Sequence, residues 1–69
     1  MKNNFFGKTL KSLRLEKNIS QKKLGDDLGV VNQTISFWEN GTREPDLDMI
    51  LKISKYFDVS VDYLINSNF

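Results

Sequence analysis

The chain has no cysteine, no histidine and a single proline in 69 residues. Without cysteine no disulfide framework can form, and without cysteine or histidine the usual zinc, haem and iron–sulfur ligand sets are missing. The same two absences exclude Ser-His-Asp and Cys-His nucleophilic catalysis. Asp, Glu, Lys and Tyr remain as reactive groups, on a chain with little room for a buried pocket. The sequence therefore argues against an enzyme and calls for no cofactor and no metal. Long apolar runs are lacking too: Met49-Ile50-Leu51 is typical of the longest, whereas a membrane span needs ~20 residues. The amino terminus, Met1-Lys2-Asn3-Asn4-Phe5-Phe6-Gly7-Lys8, has no extended apolar stretch and no secretion signal. The expectation is a cytoplasmic protein without membrane contact.

What is present points to one small domain spanning residues 1–69. A composition of 39% hydrophobic and 28% charged residues is that of a globular chain. A domain of this size without disulfide or metal staples relies on well-packed local structure, and short helices are the natural solution. The net charge of +1 conceals an asymmetry. Residues 1–23 carry seven cations against Glu16 alone, a local charge of +6, and residues 24–69 carry three cations against eight carboxylates, a local charge of −5. Such a chain either turns a positive face to a polyanion or carries an ordinary solvated surface; charge by itself fits both.

Five helices and no strand can be read along the chain. Phe6, Leu10 and Leu13 at i, i+4 and i+7 draw one apolar stripe, which ends near Asn18. Ser20 is suited to capping a second helix, in which Leu24 and Leu28 form an i, i+4 pair and Gly29 supplies the left-handed stop. A third helix runs from about Asn32 to Asn40, with Val31, Ile35 and Trp38 facing inward. Asn40-Gly41 stops it, and Thr42-Arg43-Glu44-Pro45 forms a loop. Asp46 caps a fourth helix whose stripe is Leu47, Ile50, Leu51, Ser54 and Phe57. Ser60 begins a short last helix carrying Val61 and Leu64, and the tail from Asn66 to Phe69 frays.

Residues 21–40 are the informative segment. Two short helices joined by a tight glycine-containing turn form a helix-turn-helix. If the third helix crosses the second closely, the contact position in the second must be tiny, and Gly25 is tiny. Gly29 makes the turn, while Val30, Ile35 and Trp38 fill the space between the helices.

Over residues 10–65 the chain resembles the Cro and phage-repressor (xenobiotic-response-element) family of helix-turn-helix DNA-binding domains. The stretches that carry the likeness are Leu10-Lys-Ser-Leu-Arg14, Ile19-Ser-Gln-Lys-Lys-Leu24, Leu28-Gly-Val30, Thr34-Ile-Ser36, Trp38-Glu-Asn-Gly41, Pro45-Asp-Leu47 and Val59-Ser-Val-Asp-Tyr-Leu64. The resemblance implies an all-α, lambda-repressor-like bundle of five helices, with the third reading the major groove. It implies a sequence-specific regulator of transcription, a repressor, acting on double-stranded DNA. Three positions depart from the family pattern. Gly25 stands where Ala is usual, which weakens the second helix by ~0.5–1 kcal/mol. Val31 stands where Ser or Thr would cap the third helix, and Lys23 stands where a capping-box Glu is expected after Ser20.

With Ile35 and Trp38 inward and about 100° of rotation per residue, Gln33, Phe37 and Asn40 point most directly outward, with Ser36 beside them. Asn32, Gln33, Ser36 and Phe37 are the candidate base contacts, because Asn and Gln amides match adenine N6 and N7 and an outward Phe can cover a thymine methyl. Together they favour A·T pairs. The bland readings are polar surface for the amides and, for Phe37, packing against a neighbouring side chain or a dimer partner. Gln21, Lys22, Lys23, Thr34, Asn40, Thr42 and Arg43 are the candidate phosphate contacts. Gln21 and the amides behind Ser20 would clamp one phosphate, and Lys22 and Lys23 either support it or are merely solvated. Asn40 either contacts phosphate or backbone there, or simply ends its helix. Arg14 and Glu39 correspond to a salt-bridged pair in the family and belong to the architecture. A single recognition helix reads few base pairs, so a homodimer on a pseudo-palindromic operator is expected, with Tyr63, Ile65 and the segment after the third helix as contributors. The alternative from another class is an antitoxin-like or adaptor module whose main contact is with protein, because residues 32–40 contain no Arg or Lys.

Overall fold

A computed structural model describes residues 4–65. The five helices are α1 (Phe5–Glu16), α2 (Gln21–Leu28), α3 (Asn32–Asn40), α4 (Leu47–Phe57) and α5 (Val61–Ile65), with no strand among the described residues. The expected fraying of the tail from Asn66 to Phe69 lies outside them.

Local chemistry sets the boundaries. Ser20 Oγ accepts from the Lys23 amide at 3.0 Å, and Asp46 Oδ1 accepts from the Met49 amide at 2.9 Å, so each side chain satisfies a donor in the first turn of its helix. At the end of α2, Gly29 adopts φ +82°, and the Val30 amide closes back on the Gly25 carbonyl at 2.8 Å, a left-handed stop that a side chain would strain. Asn18 and Asp58 take the same left-handed conformation after α1 and α4, which Asn and Asp tolerate better than other side chains. The short α5 is capped by Ser60 Oγ, which accepts from the Tyr63 amide at 3.0 Å.

The core joins all five helices. Phe6, Leu10 and Leu13 of α1 meet Leu24 and Leu28 of α2, Ile35 and Trp38 of α3, Ile50 and Ile53 of α4, and Leu64 of α5. The stripe expected on α4 is corrected here. Leu47 and Leu51 are exposed, 68% and 43%, while Ile50 and Ile53 are buried. The segment Leu-Asp-Met-Ile-Leu-Lys-Ile is apolar around more than half its circumference, so periodicity alone left the centre of the buried face open. Packing rotates it toward Ile53.

Two close crossings hold α3 in place. A Cβ on Gly25 would lie 2.6 Å from the Val30 carbonyl oxygen and 3.3 Å from the Asn32 nitrogen, so α2 presses directly on the turn and the start of α3. At the other end, a Cβ on Gly7 would meet the Trp38 carbonyl oxygen and, at 2.6 Å, that of Glu39. The first turn of α1 therefore rides on the last turn of α3.

Candidate nucleic-acid interface

The outer side of the α2–α3 pair begins with α3 itself. Ile35, Trp38 and Glu39 are buried, Asn32, Gln33 and Asn40 are exposed, and Thr34, Ser36 and Phe37 are half-buried between them. Asn32 and Gln33 thus stand in water at the amino-terminal end of the helix, and the buried side of the same helix is fixed by the core. Val31, read from the sequence as inward, is instead 65% exposed. It precedes the first helical residue and has extended backbone, φ −74° and ψ 154°, so the i, i+4 spacing to Ile35 does not bring it onto the same face.

Behind this surface lies a buried ion pair. Arg14 Nε donates to Glu39 Oε2 at 2.6 Å and Nη2 donates to Oε1 at 3.1 Å. Both residues are 8% exposed. Arg14 Nη1 also donates to the Ile19 carbonyl at 2.9 Å, which ties the α1–α2 loop to the pair. Gln21 Nε2 donates to Glu39 Oε1 at 3.1 Å. The amide nitrogen carries two hydrogens, so one engaged inward leaves one for an external acceptor. Gln21 is thereby oriented by a residue at the far end of α3.

The cations are partly occupied. Lys22 pairs with Asp26 at 3.2 Å and Lys23 with Asp27 at 3.0 Å, both exposed i, i+4 pairs on α2. Pairs of this kind contribute about 0.3–0.5 kcal/mol, little enough for a phosphate to compete. Asp27 also accepts from Tyr56 Oη of α4 at 2.6 Å, and Lys17 lies over the Tyr56 ring at 5.2 Å. The Tyr56 hydrogen bond, followed by that from Lys23, holds the Asp27 carboxyl below its ordinary range. Burial, then the bond to Asp27, pushes Tyr56 up to about 12. In the loop after α3, Asn40 Oδ1 accepts from the Thr42 amide at 2.9 Å and from the Thr42 hydroxyl. The Arg43 guanidinium lies 5.1 Å from the centre of the Phe37 ring, so the outward aromatic is covered by a neighbouring side chain.

A family model described as helix-turn-helix matches residues 10–64. The chain belongs to the helix-turn-helix family. It is similar to the HTH-type transcriptional regulator YqaE of Bacillus subtilis, 38% identical over 60 residues, covering 87% of this chain and 52% of YqaE. It is also similar to the HTH-type regulator ImmR of the same organism, 37% identical over 62 residues, 90% of this chain and 49% of ImmR. The chain spans about half the length of these curated relatives. Among solved structures, the P22 c2 repressor protein in complex with a synthetic operator in the presence of Tl+ matches with a TM-score of 0.86 and 34% identity, over 93% of this chain and 97% of that one.

Within this helix-turn-helix domain the structure brings Gln21, Lys22 and Lys23 together on the first turn of α2, and Asn32, Gln33, Thr34, Ser36 and Phe37 along α3. Asn40, Thr42 and Arg43 follow at the end of α3 and in the next loop. Sequence reasoning missed the Gln21–Glu39 link, the Gly7 crossing and the Lys52 ammonium that donates to the Leu28 carbonyl at 2.7 Å at the end of α2. All three join residues at least 18 positions apart. A small residue inside the first apolar stripe was the available signal for Gly7. Among the described residues no helix is long and apolar enough to cross a membrane.

Proposed function

We propose that this chain is the DNA-binding part or the whole of a sequence-specific transcriptional repressor, acting on double-stranded DNA through the amino-terminal end of α3. The observation that carries the reading is the exposure of Asn32 and Gln33 at the edge of a tight α2–α3 crossing, in a fold that matches a repressor bound to operator. In that docking Asn32 and Gln33 hydrogen-bond base edges, adenine above all, while Ser36 and the free edge of Phe37 approach the next pairs. Gln21 offers its second amide hydrogen to a phosphate, aided by the free amides at the start of α2. Lys22, Lys23, Thr34, Asn40, Thr42 and Arg43 flank the groove and contact phosphate. No step of this function requires catalysis, and its place is the cytoplasm, where the DNA is.

Half-sites one helical turn apart are separated by about 34–36 Å, and the domain measures 30 × 24 × 22 Å. Two copies seated on successive half-sites come within touching range. A homodimer on a pseudo-palindromic operator follows, with the exposed Tyr63 and Ile65 among the side chains available for contact.

Selection of bound duplexes from a random library tests the reading. The expected outcome is a two-fold symmetric, A·T-biased site whose affinity falls steeply with salt, with a slope of about −0.9 per phosphate neutralised. The lack of Arg and Lys on α3 favours a second reading, a protein-interaction module; enrichment of no sequence together with a flat salt response would select it.

A further inference from the structure

The charges of α2 run against the helix dipole at both ends. Lys22 and Lys23 stand in its first turn and Asp26 and Asp27 in its last, where helix stability favours the opposite signs. Each lysine pairs with the carboxylate four residues on, Lys22 with Asp26 at 3.2 Å and Lys23 with Asp27 at 3.0 Å. Lysine before acid is the less favourable order for such a pair. The stability of α2 therefore explains neither aspartate.

The two pairs differ in how they are held. At about 100° per residue, Lys22 lies about 60° round α2 from Gly25, the residue pressed on the start of α3. Lys23 lies about 160° round, on the far side. The Lys22–Asp26 pair stands in water, its side chains 76% and 63% exposed, and among the described residues no second side chain bonds Asp26. The Asp27 side chain is 26% exposed and is anchored from α4, since Tyr56 Oη donates to its second oxygen at 2.6 Å. The Tyr56 ring is braced in turn by Phe57, edge-on at 4.9 Å, and by the Lys17 ammonium at 5.2 Å. A carboxylate fixed from outside α2 thus occupies the Lys23 ammonium as a phosphate oxygen would.

Resting on the DNA-binding reading above, we infer that Asp27 is a specificity-determining residue: anchored by Tyr56, it withholds Lys23 from the phosphates of random duplex and yields it to those of the operator. Binding to random duplex is almost wholly electrostatic, so a lysine already neutralised at a fixed carboxylate adds nothing to it. On the operator, the base contacts and Gln21 seat α2 against the backbone. A phosphate held there competes with Asp27 at the high effective concentration of a tethered ligand. Lys22, whose partner nothing else holds, turns to phosphate on either duplex. Lys23 then contributes to the operator complex alone, and the difference in affinity between operator and random duplex widens.

The test measures the salt slope of the full chain on its selected operator and on a scrambled duplex. One phosphate contact adds about 0.9 to the slope, or roughly 3.5-fold in affinity between about 50 and 200 mM salt. Lys23→Ala should flatten the operator slope by about that amount and leave the scrambled slope unchanged, whereas Lys22→Ala should flatten both. Tyr56→Phe, which keeps every charge, should steepen the scrambled slope by about 0.9 and narrow the ratio of operator to scrambled affinity. Asp27→Asn should do the same. Asp26→Asn removes an equal charge from the unanchored pair and should leave the difference between the two slopes unchanged. Equal flattening of both slopes by Lys23→Ala, or a scrambled slope unmoved in both Tyr56→Phe and Asp27→Asn, overturns the inference while the DNA-binding reading stands. Failure of the wild-type chain to bind any duplex at low salt overturns both.

Discussion

Replacing Glu39 by alanine removes the acceptor for three side-chain donors, Arg14 Nε, Arg14 Nη2 and Gln21 Nε2. The side chains of the ion pair are 10% and 5% exposed, so water cannot take the place of the lost carboxylate without opening the core. Deleting one partner of a buried pair costs about 3–5 kcal/mol, because the other charge stays buried and uncompensated. At about 0.05–0.15 kcal/mol per residue, a domain of this length has roughly 3–10 kcal/mol in total. Glu39→Ala is therefore expected to remove about a third or more of the stability. Trp38 is the sole tryptophan and is 5% exposed, so its fluorescence reports urea unfolding directly. The double variant Arg14→Met, Glu39→Met should recover most of the stability, since apolar replacements of a buried pair are often neutral or better. Operator affinity should stay low in that variant, because Gln21 still has no acceptor to orient it. A loss below about 1 kcal/mol for Glu39→Ala, on the scale of a solvated surface pair, would refute both the burial argument and the linkage to Gln21.

Gly7→Ala should destabilise the domain by about 1–3 kcal/mol in the same unfolding assay, as an overpacked contact does, although alanine is the better helix former; an unchanged midpoint would mean that α1 does not press on α3. The raised Tyr56 pKa makes a contribution to stability that is complete below pH ~10 and is lost as the pH climbs toward about 12. The lowered Asp27 pKa contributes above its ordinary range near pH ~3.9 and is lost as the pH falls through its lowered folded value. Tyr56→Phe should therefore show a smaller drop in urea midpoint between pH 9 and 11.5 than the wild type, and equal slopes would discard the Tyr56–Asp27 contact. Gln33→Ala should flatten sequence preference, while Lys22→Ala should weaken all duplexes similarly and reduce the salt slope by about 1; electrophoretic mobility shifts across a salt series separate the two, and the reverse pattern would reassign both residues.

Local chemistry was legible in the sequence. Ser20, Gly29, Asp46 and the Asn40-Gly41 stop mark helix ends through interactions within a few residues, and the structure bears each of them out. Gly25 was legible as a close contact because its partner is the adjoining turn. What escaped depends on distant partners or on the rotation of a helix about its own axis. Leu47 and Leu51 share a periodic stripe with Ile50, and only the packing of the whole bundle decides which flank is covered. Lys52 carries no local signature, and Gly7 only that of a small residue near the first apolar stripe, since the groups they meet belong to other helices. Val31 was misread because a helical period was extended one residue past the point where the helix begins.

The division of labour along α3 has a practical corollary. Ile35, Trp38 and Glu39 serve the interior, while Asn32 and Gln33 are exposed and lie outside the core cluster. In the docking proposed above, substitutions at the two amides redirect the domain to other operators without eroding its thermal stability. A lineage carrying this helix is able to drift toward new binding sequences in single steps, each intermediate remaining folded.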